Sequence, residues 1–136
     1  MTSRWDYEQL KAAAPQVSIL TCHDEYLLAT LLEGCEGAVV GFAGFVPELI
    51  CELVRCALDG DLAAARHTRG LVDPLARIVY NFGEPSGDAH QRMKCARWLM
   101  GKFSAPTMRR PLRPLPAVEV EKIRRQLVAL GYECPR

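Results

Sequence analysis

Glu33-Gly34-Cys35-Glu36-Gly37-Ala38-Val39-Val40-Gly41-Phe42-Ala43-Gly44-Phe45-Val46-Pro47-Glu48-Leu49-Ile50-Cys51-Glu52-Leu53-Val54-Arg55-Cys56-Ala57-Leu58 is the stretch on which the fold turns. Ala38 to Val40 form an apolar run between two glycines that is too short for a helix, and from Val46 onward the apolar residues adopt helical spacing. The stretch therefore reads as a buried strand, a glycine-rich turn and a helix. The turn Gly41-Phe42-Ala43-Gly44-Phe45 follows the carboxyl end of the strand, where α/β sheets place their ligand sites, and its glycines let backbone approach a ligand closely.

Working back from this unit, Asp6 to Ala14 favour a helix that Ser3 or Asp6 could cap and Pro15 would end. Val17-Ser18-Ile19-Leu20-Thr21 is a strand candidate, partly β-branched and bounded by Pro15 and by Cys22-His23-Asp24. Asp24 could cap the next helix, whose stripe of Tyr26, Leu27, Thr30 and Leu31 stops at Gly34. Strand, helix and strand in such close succession make a βαβ unit, with parallel strands and a right-handed crossover.

Working forward, Val46, Leu49, Ile50, Leu53, Val54 and Ala57 lie on one helix face opposite Glu48, Glu52, Arg55 and Asp59, and Pro47 suits a first turn. Leu49, Ile50, Leu53 and Val54 are expected to bury against Ala38 to Val40. Gly60 ends that helix and Asp61 can cap another. Its apolar positions are Leu62, Ala65, Leu71, Val72, Leu75, Ile78, Val79 and Phe82, with bends expected at Gly70 and Pro74. A loop over Gly83 to Gly87 precedes a helix over Asp88 to Met100. Pro106, Pro111, Pro114 and Pro116 keep the following segment extended. Val118 to Leu130 reads as a last helix closed by Gly131, with Val120, Ile123, Leu127 and Leu130 inward.

Composition narrows the function classes. The 136 residues suit one domain, 49% hydrophobic and 24% charged content is ordinary for a globular chain, and a formal net charge of +1 gives no electrostatic reason to expect nucleic acid or an acidic membrane as partner. No apolar run is long enough to span a bilayer, and Met1 to Asp6 lack the apolar core of a signal peptide, so the expected localisation is cytoplasmic. The six cysteines, Cys22, Cys35, Cys51, Cys56, Cys95 and Cys134, show no Cys-x-x-Cys spacing and read as free thiols, mostly small apolar residues.

The ordered series now has a likeness. Strand, helix, Gly37-Ala38-Val39-Val40-Gly41, a small turn, Val46-Pro47-Glu48-Leu49, an amphipathic helix, Gly60-Asp61-Leu62-Ala63-Ala64-Ala65-Arg66, a Pro-bearing helix, then Arg109-Arg110-Pro111-Leu112-Arg113-Pro114-Leu115-Pro116 before a last helix resembles the C-terminal half of the dihydrodipicolinate synthase and N-acetylneuraminate lyase family. The resemblance covers nearly the whole chain. It implies an α/β fold: the C-terminal portion of a (β/α)8 TIM barrel, with two full parallel strands and a third stub at Met1 to Ser3, followed by a mainly helical layer. The implied division is residues 1–59 as the partial barrel segment and 60–136 as a helical subdomain.

That family cleaves, condenses or dehydrates 2-keto acids through a Schiff base to a lysine, with no further cofactor and no metal. If Thr2-Ser3 and Asp6 stand where the family has the residues after its lysine, the lysine itself is absent. Lys11, Lys94, Lys102 and Lys122 all fall on helices or loops of the outer layer. The family's proton-shuttling tyrosine and carboxylate-binding loop belong to earlier strands, so the resemblance implies no catalytic residue in this chain. What it carries over is a partial substrate-binding set. Thr21-Cys22-His23-Asp24 matches a small-Gly-Asp-Asp turn, with Cys22 in place of a glycine; Val39 stands at a strand position whose carbonyl lies near bound pyruvate; and Gly41 to Gly44 line the mouth.

The implied function is a fragment of a class I lyase, aldolase or dehydratase for pyruvate-derived 2-keto acids or sugar acids, inactive alone. The alternative is a non-catalytic module that completes a barrel with a separate N-terminal half. Expected partners are a small-molecule 2-keto acid once the barrel is complete, and either further copies of the chain or that half. An in-frame upstream segment ending in a strand and a lysine would mark Met1 as a truncated start.

Simpler readings compete at single residues. Cys22-His23 invites a catalytic thiol, but neighbours in sequence usually point apart, and a loop cysteine beside a capping residue explains them more economically. Cys22, His23, Cys35, His67 and His90 lack the ligand spacing of a metal site. Trp5, Trp98, Tyr80 and Phe82 read as packing residues, because no basic stripe accompanies them. Arg109, Arg110 and Arg113 could hold an anion, yet among prolines they read as a solvated loop or a subunit contact.

Overall fold

The structure, a computed structural model, describes residues 4–80 and 86–136. The third stub at Met1 to Ser3, the apolar position at Phe82 and most of the Gly83 to Gly87 loop lie outside the described residues. The elements are α1 (Arg4–Ala13), β1 (Leu20–Thr21), α2 (Leu27–Leu32), β2 (Gly37–Ala38), a 3-10 turn (Gly41–Gly44), α3 (Pro47–Leu58), α4 (Leu62–Val79), α5 (Ser86–Leu99) and α6 (Ala117–Ala129). They group into two compact units, residues 1–70 and 71–136, with α4 running from one into the other.

The first unit holds the strand pair. β1 and β2 are parallel, with Leu20 opposite Gly37 and Thr21 opposite Ala38. Both strands are shorter than Val17 to Thr21 and Ala38 to Val40 suggest. Each is regular over two residues, although the ladder extends through Glu36 N–H to Ile19 O at 2.9 Å and Val39 N–H to Thr21 O at 2.8 Å. The physical reason is pairing: each strand has a partner on one side only among the described residues, and short two-stranded pieces hold little regular structure without further strands or cover.

Local signals located most helix ends. Pro47 occupies the first turn of α3, and Asp61 Oδ1 accepts the Ala64 N–H at 2.9 Å at the start of α4. Gly34 ends α2 at a φ of +113°, and a Cβ built there would stand 2.5 Å from Tyr7 Oη, so both backbone and space call for glycine. α4 passes through Gly70 and Pro74 as one helix. Its Ala65, Val72, Leu75, Ile78 and Val79 are buried, whereas Leu71 is exposed.

α3 corrects one expectation. Ile50 and Leu53 are buried, with Cys56 beside them, but Leu49 and Val54 are only half-buried. The main neighbours of α3 are α2 and the 3-10 turn rather than the strand of Ala38 to Val40. Gly41 to Gly44 coil into a helical turn rather than an open loop, and its Phe42 packs edge-to-face on Phe45, with ring centroids 5.3 Å apart. Those two buried rings give the α2, α3 and turn contact its core.

In the second unit α5 packs on α6. Ile123 and Leu127 bury on the inward face of α6, while Leu130, at its C-cap, falls off the stripe and is exposed. Residues 102–116 between these helices contain no helix or strand, as their prolines require. Arg92 of α5 is buried; it donates to the Glu119 carboxylate and to Val79 O, the latter at 3.3 Å.

Candidate functional site

The carboxyl ends of β1 and β2 deliver two turns side by side, Thr21 to Asp24 and Val39 to Gly44. Asp24 joins them: its Oδ1 accepts the Phe42 N–H at 2.9 Å, across 18 residues of chain. This replaces the cap proposed for it, because α2 begins only at Leu27 with Tyr26 at the N-cap position. Arg69 of α4 secures the same turn, donating from Nη1 to Asp24 O at 3.3 Å and from Nη2 to Glu25 O at 3.1 Å. Sequence reasoning missed both tethers, since neither Asp24 to Phe42 nor Arg69 to Glu25 is a local spacing.

The register sorts the candidate residues by face. Opposed residues of a parallel pair point the same way and successive ones alternate, so Leu20, Cys22, Gly37 and Val39 share one face while Thr21, Ala38 and Val40 share the other. A Cβ on Gly37 would meet Leu20 Cδ2 at 2.9 Å, which places that side chain over the glycine. Burial follows the same division. Thr21 is fully buried and Val40 nearly so, whereas Leu20 is 48% and Val39 68% exposed, and Cys22 is exposed.

Of the candidate set, Cys22 and Val39 therefore come together on the open face, with Gly41 continuing from Val39. Thr21 turns its side chain away; its Oγ1 accepts the His23 N–H at 3.2 Å, so only its main chain faces the ladder. Neither Gly41 nor Gly44 takes a positive φ. A Cβ on Gly44 would enter open space, which leaves that side of the turn accessible. The alternation that separates Thr21 from Leu20 and Cys22 was readable in the strand's own period.

The other chemical groups lie elsewhere. Lys11 of α1 binds the Glu36 carboxylate and donates to Val17 O at 3.2 Å. Glu36 immediately precedes β2 and Val17 lies upstream of β1, so this amine sits at the amino ends of the strands, opposite to the turns. Its hydrogen bond to Glu36 raises the Lys11 pKa, and the same bond, with one from Ser18, lowers that of Glu36. Burial raises the thiol pKa of Cys35, Cys56 and Cys134 and pushes Cys95 up to about 11, in keeping with their reading as small apolar residues. Among the described residues no three His, Cys, Asp or Glu converge as metal ligands, and no helix is long and apolar enough to cross a membrane. Arg109, Arg110 and Arg113 are exposed.

This arrangement of a βα turn, a strand and trailing helices recurs in known proteins. A 4-hydroxy-tetrahydrodipicolinate synthase of Thermomicrobium roseum is 36% identical over 128 residues, which is 94% of this chain and 39% of that protein. The solved dihydrodipicolinate synthase of Bacteroides thetaiotaomicron superposes with a TM-score of 0.81 at 23% identity, over 94% of this chain and 44% of that one. YagE of Escherichia coli K12, solved in complex with pyruvate, superposes at 0.79 with 23% identity, over 97% of this chain and 44% of that one. Both solved proteins are TIM barrels, and the present chain, mostly helical with two parallel strands, corresponds to part of such a barrel. It spans about two fifths of the length of the curated relative. The sequence profile of the dihydrodipicolinate synthetase family matches residues 5–130, and the chain therefore belongs to that family.

Proposed function

We propose that this chain is the C-terminal portion of a Schiff-base lyase, aldolase or dehydratase. On this reading it lines part of the site for a pyruvate-derived 2-keto acid or sugar acid, and it forms no imine by itself. Cys22, Val39 and Gly41 would contribute side chain or backbone to that site, and Thr21 backbone alone.

The observation that carries the reading is the position of Lys11. An imine needs a neutral amine at the mouth of the strands, in a desolvated pocket that lowers its pKa. Lys11 is at the other end of the strands, and its ion pair moves the pKa the wrong way. The remaining lysines, Lys94, Lys102 and Lys122, lie on α5, just after it and on α6, all in the second compact unit.

Imine formation acidifies the methyl protons of pyruvate, so a competent site speeds their exchange with deuterated water. Proton NMR of pyruvate with the purified chain should show the buffer rate. Exchange above that rate, abolished by Lys11→Ala or by Lys94→Ala, would overturn the reading.

A further inference from the structure

α5, α6 and the proline-bearing segment between them border a small cavity of about 60 Å³. It lies within the second compact unit, so no residue of the strand pair or its turns takes part. Gln91 and Cys95 of α5 and Val120 of α6 line it, together with Met108, Pro114 and Leu115 of the segment. Most of that lining is apolar. Its one side-chain amide, Gln91, is only 8% exposed, and among the described residues that amide makes no hydrogen bond. Buried amides in folded proteins nearly always have a partner, because an unmet one keeps its full desolvation cost. We infer that the cavity is a binding site for a short neutral solute with an apolar body and one hydrogen-bonding head, a primary amide or an alcohol, held through that head by Gln91.

Size, charge and polarity select this chemistry. A single water needs about 10–15 Å³, so the cavity admits a molecule of a few heavy atoms and no large one. No Asp, Glu, Lys, Arg or His lines it. Burial, and after it the Glu119 carboxylate, pushes the Cys95 thiol up to about 11, which keeps it protonated and uncharged at neutral pH. An ionic solute would therefore be desolvated without a counter-charge. A side-chain amide both donates and accepts, which suits a hydroxyl or amide head. The proline, leucine and valine surfaces favour a hydrocarbon body over water, which needs about two to four polar partners. The inference stands on the helical unit whether or not the imine reading holds.

The probe is propionamide, with propionate as its charged counterpart of the same size. In the purified full chain, carrying 15N and methionine methyl 13C labels, propionamide should shift the Gln91 side-chain NH2 and the Met108 methyl signals together. The shifts should saturate in the millimolar range, as suits so few heavy atoms, and propionate should move neither. Gln91→Leu keeps the bulk and removes the hydrogen bond, so affinity read at Met108 should fall about two- to tenfold, the worth of one neutral hydrogen bond. Val120→Phe should fill the cavity and abolish binding. Circular dichroism checks the fold of each variant, and either one alone decides.

Shifts that never saturate would overturn the inference, as would an equal response to propionate. Unchanged propionamide affinity in a folded Gln91→Leu or Val120→Phe chain would overturn it too, because the solute would then bind elsewhere.

Discussion

Leu53→Asp is expected to abolish folding of the first unit. Leu53 has no exposed surface and lies on the face of α3 that packs on α2 and the 3-10 turn. A carboxylate there would lose its water. The alternative is to become protonated, which costs free energy as its pKa climbs. Either route costs about 4–5 kcal/mol or more on top of the lost leucine contacts, against a total stability of roughly 5–15 kcal/mol for a domain. Leu53→Ala, which removes only the contacts, should cost about 2–5 kcal/mol and still fold. Circular dichroism melts of the pair check this. A cooperative wild-type-like transition in Leu53→Asp would mean that α3 does not bury this face.

The second large effect belongs to Arg92. Its side chain is buried in α5 and meets Glu119 near the start of α6, with Val79 O as a further acceptor. Removing one partner of a buried pair strands the other charge, which typically costs about 3–5 kcal/mol. Glu119 keeps a quarter of its side chain exposed, at 26%, and water can partly replace it, so Glu119→Ala should cost about 2–3 kcal/mol. The double variant Arg92→Met with Glu119→Leu should be less destabilised than Glu119→Ala, because apolar side chains of similar size remove both desolvated charges together. Urea unfolding of the two variants and the wild type decides the matter. A double variant more destabilised than Glu119→Ala would mean that the groups do not act as a pair.

What the sequence disclosed and what it hid divide along one line. Helix bodies and ends were legible wherever the cause lay within a turn of the chain. The face of Ile50 and Leu53, the cap at Asp61 and the stop at Gly60 are of this kind, each a matter of spacing or of a single side chain reaching its neighbours. The contacts that tie distant parts of each unit together are not local. Asp24 reaches Phe42 across 18 residues, Lys11 reaches Glu36 across 25 and Arg92 reaches Glu119 across 27. No periodicity announces such pairs.

Strand length was illegible for a related reason, since a strand extends only as far as it is paired and the sequence of Val17 to Thr21 cannot show what lies beside it. The candidate residues stood between these cases. Val39 and Cys22 were suggested by the family likeness, and the register puts them on the same face of the strand pair. The orientation of Thr21 follows from plain alternation once Leu20 faces out.

We propose that this member of the dihydrodipicolinate synthetase family carries part of a barrel without the amine that imine chemistry needs. Borohydride reduction tests it most directly, because it converts any imine between pyruvate and a lysine into a stable secondary amine. The purified chain is incubated with pyruvate and borohydride, digested and analysed by mass spectrometry. The account predicts no adduct on Lys11, Lys94, Lys102 or Lys122; a stoichiometric adduct on any one of them, Lys11 or Lys94 above all, would contradict it.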